Sequence, residues 1–321
     1  MADSDAASRI AAVRAELLEN LTALRRAVAA TAALKNLLDD RWFEAIADEI
    51  RHSTPPHPAK TDPSGFLYDF MHPLRGVDWF EKAQQLMLKD RLAEVDEESK
   101  FALWMAGIDP LRTIIPRLDE RVQALSSVTF KPDQVRMKLA EVVASRTNPS
   151  LKNHLFEVGV LGDLARHGVL IDVEEATTAS DGVANIDGRD ILIEATNTVQ
   201  RVIPDFIGVL STDPNVEIDQ VVKKIRKKVA DGRQLARANG RPTVLFLART
   251  HMGAGRESAP IALREIFSDP NFAALSAVVV ADSWKLYVTE WQPGAKPDVP
   301  LTAREAEAFD SWYRRPKAST D

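Results

Sequence analysis

Cysteine is absent from the 321 residues, which excludes disulfides, thiolate zinc sites and a cysteine nucleophile. Histidine is scarce: His52, His57, His72, His154, His167 and His251 show no HExxH or comparable spacing, so a histidine-ligated zinc enzyme is not expected. No apolar run is long enough to span a bilayer, and the opening MADSDAAS lacks the basic start of a secretory signal. The expectation is a cytoplasmic protein with no membrane partner. An excess of positive charge is missing too. Lys and Arg number 41 against 47 Asp and Glu, for a net charge of -6, so any contact with nucleic acid must come from a local basic patch. The run His251-Met252-Gly253-Ala254-Gly255-Arg256 lacks the lysine and helix start of a phosphate-binding loop, and there is no GxSxG nucleophile elbow. Internal repeats and low-complexity segments are absent as well.

What remains is an ordinary globular composition, 45% hydrophobic and 27% charged, long enough for two domains. We place them at residues 1-147 and 148-321. The first half reads as helical. From Ser8 to about Asp39 the apolar residues Ile10, Val13, Leu17, Leu21, Leu24 and Val28 recur at three- and four-residue spacings, which predicts one long amphipathic helix. The spacing resembles coiled-coil heptads with a stutter, so it suits a homodimer or partner contact as well as packing inside a bundle. A second helix is expected around Trp42 to His52, then a loop, STPPHPAKTDPSG. Helices resume at Trp79 to Val95, Glu97 to Ala106, Pro110 to Leu125 and Pro132 to Ser145, with Phe70, Trp79, Phe80, Phe101 and Trp104 supplying core.

The second half alternates helix and strand. A helical pattern from Leu151 to His167 ends at Gly168, which can adopt the left-handed conformation that closes a helix. A strand follows, Val169 to Glu174. The segment DGVANIDGRDILIEATNT, Asp181 to Thr198, reads as two strands joined by a tight turn at Asp187-Gly188. A basic helix is expected from about Asp219 to Asn239, then a buried strand, Thr243 to Ala248, and a strand pair, Ala277 to Ala281 and Lys285 to Thr289. The fold class is α/β: a helical N-terminal domain followed by a mixed β-sheet flanked by helices.

Acidic residues fall on three of these elements: Glu157 in the helix, Asp181 opening the second strand and Glu194 in the third. Alternation puts Leu192, Glu194 and Thr196 on one face, so a single carboxylate sits inside an otherwise apolar strand. The element order and these acids together resemble the PD-(D/E)XK, or restriction-endonuclease-like, nuclease superfamily over roughly Leu151 to Gln292. The resemblance implies a metal-dependent nuclease that hydrolyses DNA phosphodiester bonds, RNA not excluded. Asp181 and Glu194 would ligate Mg2+ or Mn2+, with Glu157 contributing from the helix. Thr196 stands at the position of the family's lysine. The same charge could reach the site from the basic helix, where Lys228 is the first candidate and Lys224 the second, while Lys223, Lys227, Arg233 and Arg237 would contact the nucleic-acid backbone.

Each residue also has a plainer reading. Glu194 could pair with a nearby cation, Asp181 could be a turn residue, and Glu157 could lie on a solvated helix face. Asp187 and Asp190 belong to the turn unless the register slips by one residue. The alternative for the whole domain is a catalytically inactive endonuclease-like module that binds nucleic acid or assembles with protein.

Overall fold

The computed structural model describes residues 2-52, 110-145, 148-175, 180-197, 222-223, 225-226, 240-249, 258-282, 288-294 and 296-313. The linker after residue 52, the helices expected between residues 79 and 106 with their aromatics, most of the basic helix, the 251-256 loop and the tail after residue 313 lie outside them. The chain divides into two compact units, Met1–Gln123 with Leu139–His154, and Ala124–Lys138 with Leu155–Asp321. Among the described residues no helix is long and apolar enough to cross a membrane.

In the first unit, α1 (Ala2–Ala29), α2 (Leu34–Leu37), α3 (Asp40–His52) and the start of α4 (Pro110–Ser126) bury Leu24, Val28, Leu34, Trp42, Phe43, Ile46, Ile115 and Val122. The single long helix expected to reach Asp39 instead ends at Ala29 and restarts at Leu34. Its alanines favour continuation, so the break has a tertiary cause. The Asp119 carboxylate on α4 accepts the backbone N–H groups of Ala32, Ala33 and Leu34 at 3.0, 2.8 and 2.7 Å. These would be the unsatisfied donors at the start of a helix, so Asp119 caps α2 from a distant part of the chain. Thr31 completes the break: its hydroxyl donates to the Val28 carbonyl and accepts the Lys35 N–H. Burial alone would raise the pKa of Asp119, but the three backbone donors and Thr31 outweigh it and hold the carboxyl below its ordinary range.

The second unit is built on a six-stranded mixed sheet in sequential order: β1 (Leu170–Glu175), β2 (Ser180–Ile186), β3 (Arg189–Asn197), β4 (Thr243–Arg249), β5 (Ala277–Asp282) and β6 (Val288–Pro293). β3, β4 and β5 are parallel neighbours, whereas the outer pairings are antiparallel. With the first half of α5 (Pro132–Ala144), α6 (Asn148–Arg166) from Leu155 onward, α7 (Ser258–Ser268) and α8 (Ala303–Tyr313), this makes an α/β architecture. The continuous apolar run of β4 is buried from Thr243 to Ala248, as expected of a strand covered on both faces. Leu245, Leu247, Val278 and Val280 pack with Val222, Ile225, Leu263 and Ile266, while Phe246 meets Phe309 and Tyr313 of α8. The last strand is described from Val288 to Pro293, and the start expected at Lys285 lies outside the described residues.

Two local devices fix the sheet. Asp187 (φ 52°) and Gly188 (φ 81°) turn the chain between β2 and β3 with positive φ at both central positions, the geometry that matches strand twist. At the start of α8, Thr302 and Glu305 cap reciprocally: the Glu305 N–H donates to the Thr302 hydroxyl, and the Thr302 N–H donates to the Glu305 carboxylate. Glu305 is buried and also accepts from Arg189 at 3.1 Å, which ties the hairpin to α8.

Candidate active site at the start of the hairpin

α6 is buried on nearly every side from Leu155 to Leu164, and Glu157 lies within that stretch at 5% exposure. It is therefore not a solvated-face residue. A side chain this deep must find a partner or give up its charge. The partner is Lys138 of α5, which donates directly to the Glu157 carboxylate. Lys138 also pairs with Glu174 of β1 at 2.8 Å and lies 3.9 Å from the Asp181 carboxylate of β2. One ammonium, itself only 6% exposed, thus serves three carboxylates.

Asp181 is held by its own strand neighbour. Its Oδ2 accepts the backbone N–H of Ala195 at 2.7 Å, the residue after Glu194. The β2–β3 register pairs Gly182 with Ile193, and one further step puts Asp181 opposite Glu194. The β1–β2 register pairs Val173 with Gly182 and Glu175 with Ser180, so Glu174 lies opposite Asp181 on the other side. Glu174, Asp181 and Glu194 therefore form one row across three strands. Glu194 is 1% exposed, which makes it the most deeply buried acid of the row.

Close approach of helix and strand depends on Gly182. A Cβ there would come within 2.6 Å of Leu161 Cδ2, closer than packed carbons tolerate. Leu161 is one turn after Glu157 and Gly182 is next to Asp181, so the missing side chain lets the two acids meet. Burial chiefly, and then the charge of Asp181, raise the pKa of Glu157 against the opposing pull of Lys138. For Lys138 burial works against the charge, but Glu157 and Asp181, with hydrogen bonds to Glu157 and Glu174, outweigh it and raise its pKa. Both shifts run the same way, toward the charged lysine and toward the protonated form of Glu157.

The expected residues fare differently. Glu157 and Asp181 are brought together, and Glu194 stands opposite Asp181. Asp187 belongs to the turn and accepts from Arg304, whereas Asp190, expected there too, lies in β3 opposite Asn185 and accepts from its amide. Thr196 is buried in β3. Lys224, Lys228, Lys227, Arg233 and Arg237 lie outside the described residues, whereas Lys223 is exposed on a helical turn next to buried Val222. The lysine found at the acids is Lys138, which the sequence reading did not single out. Its signal was present: Val135, Lys138 and Val142 lie at helical spacing and all are buried, so a cation interrupts the apolar stripe of α5.

Glu157, Asp181 and Glu194 each offer carboxylate oxygens, the donor type that a hard divalent cation takes, but the three do not all come within 4.8 Å of one another. The proton favoured on Glu157 beside Asp181 marks negative charge that a bound cation would take over. Comparison with protein-family models, with curated proteins and with solved structures finds no match to this chain.

Proposed function

We propose that the chain is a metal-dependent phosphodiester hydrolase, a nuclease acting on DNA, with a restriction-endonuclease-like second unit. The observation that carries this reading is the meeting of a buried lysine with Glu157 and Asp181 at the start of the hairpin that also bears Glu194. Glu157, Asp181 and Glu194 would hold Mg2+ or Mn2+. When bound, such an ion lowers the pKa of a coordinated water and offsets charge on the phosphate and leaving oxygens. Lys138 supplies the positive charge that Thr196 cannot, from α5 rather than from β3. The Ala195 N–H fixes Asp181, and exposed Lys223 and Arg226 suit the nucleic-acid backbone.

The alternative is an inactive module of the same fold. The engagement of Lys138 by three carboxylates favours it, because the ammonium is already occupied without a substrate phosphate. Labelled single- and double-stranded DNA incubated with magnesium or manganese separates the two. Metal-dependent cleavage that disappears in Glu194→Ala and in Lys138→Gln supports the hydrolase. Folded protein that leaves both substrates intact, at any concentration of either ion, supports the module.

A further inference from the structure

Glu174 has three properties that a simple surface acid would not combine. Its backbone has φ of 50° inside a strand, the left-handed region that a non-glycine residue enters at a cost and that glutamate does not favour. Its carboxylate holds Lys138 Nζ at 2.8 Å. Its side chain is 37% exposed, whereas those of Glu157, Asp181 and Lys138 are 6, 15 and 7% exposed. Glu174 is therefore the solvent-side partner of a buried ammonium, and a ligand arriving from solvent meets it first. The strained backbone aims the carboxylate back over the site, where the register sets it opposite Asp181.

We propose that Glu174 is a displaceable place-holder on Lys138: its carboxylate occupies the place that a substrate phosphate oxygen takes, and it yields that place when substrate binds. This rests on the phosphodiesterase reading. The chemistry of the exchange is one singly charged oxygen acid for another on the same ammonium, with no net change of charge at the lysine. The exposed partner is the one that can leave, because its carboxylate regains water, whereas Glu157 would be stranded in the interior.

The test uses the full-length chain and a fluorescein-labelled single-stranded oligonucleotide in magnesium. Binding is read by stopped-flow anisotropy before turnover, and KM and kcat are read from cleavage. Glu174→Gln removes the competing charge but keeps a hydrogen-bonding group. Glu174→Asn does the same with a residue that accepts positive φ, and so serves if the glutamine variant folds poorly. The expected result is binding tightened about 3- to 10-fold and KM lowered in step, with kcat within about twofold of wild type. The gain in binding disappears when Lys138→Gln is combined with either variant. A gain that persists without Lys138, or unchanged or weaker binding in both Glu174 variants beside an active wild type, overturns the inference and leaves the hydrolase reading standing. A wild type that neither binds nor cleaves the oligonucleotide removes both, and it does so before any variant is compared.

Discussion

Replacing Lys138 with methionine keeps most of the side-chain volume and removes the ammonium that pairs with Glu157, Glu174 and Asp181. Deleting one partner of a buried ion pair typically costs about 3–5 kcal/mol, because the other charge is left without compensation. Two features place this site toward the lower end. Glu174 is partly exposed and can turn to water, and Glu157 already favours a proton. We expect Lys138→Met to lose about 3 kcal/mol near neutral pH. Lys138→Met with Glu157→Gln should recover roughly 1–2 kcal/mol of that, since a neutral amide needs no counter-charge. Urea unfolding followed by far-UV circular dichroism gives the values, fitted with separate transitions because the chain has two units. A methionine variant within about 0.5 kcal/mol of wild type would refute the reasoning, because surface pairs are worth that little.

The Gly182→Ala change should cost about 1–3 kcal/mol by overpacking against Leu161, and Leu161→Ala should cost less in the Gly182→Ala background than in the wild type, because it restores space between α6 and β2. Thermal unfolding of the single and double variants reports both effects. Asp119→Ala strips the acceptor from three backbone donors and should cost roughly 2 kcal/mol in the first unit, seen as a lower urea midpoint. Because the folded pKa of Asp119 is lowered, its stabilisation is present above the ordinary carboxylate range and is lost as pH falls below it. Glu157 has the opposite sign: its raised pKa gives stability present below the ordinary glutamate range and lost as pH rises through the folded value. The slope is at most about 1.4 kcal/mol per pH unit, and Glu157→Gln should flatten it in pH-dependent urea melts, while an unchanged slope would assign it elsewhere.

The hairpin was legible because its determinants are local. Asp187-Gly188 dictates the turn, alternation dictates the register, and the register delivers Asp181 opposite Glu194. The buried strand β4 was legible for the same reason. What escaped was set by residues far apart in the chain. Asp119 interrupts an alanine-rich helix more than eighty residues away, and no local propensity encodes that. Lys138 escaped because the basic segment after Asp219 offers the more conspicuous lysines. A lone lysine on an apolar stripe carries more information than a lysine among lysines, since only the former must answer for its burial. Glu174 was unreadable in a further sense, because its positive φ is imposed by the surrounding fold rather than by its side chain.

The Thr302–Glu305 cap and its bond to Arg189 join residues 116 positions apart, so the clamp on the hairpin cannot close until α8 has been synthesised. Phe246 waits for the same helix, because Phe309 and Tyr313 are its cover. During translation all six strands leave the ribosome while one face of the sheet still lacks this lid. The nascent chain thus carries exposed strand surface for the whole interval between β4 and α8, the condition under which holding chaperones engage and under which a slowed ribosome would favour aggregation over folding.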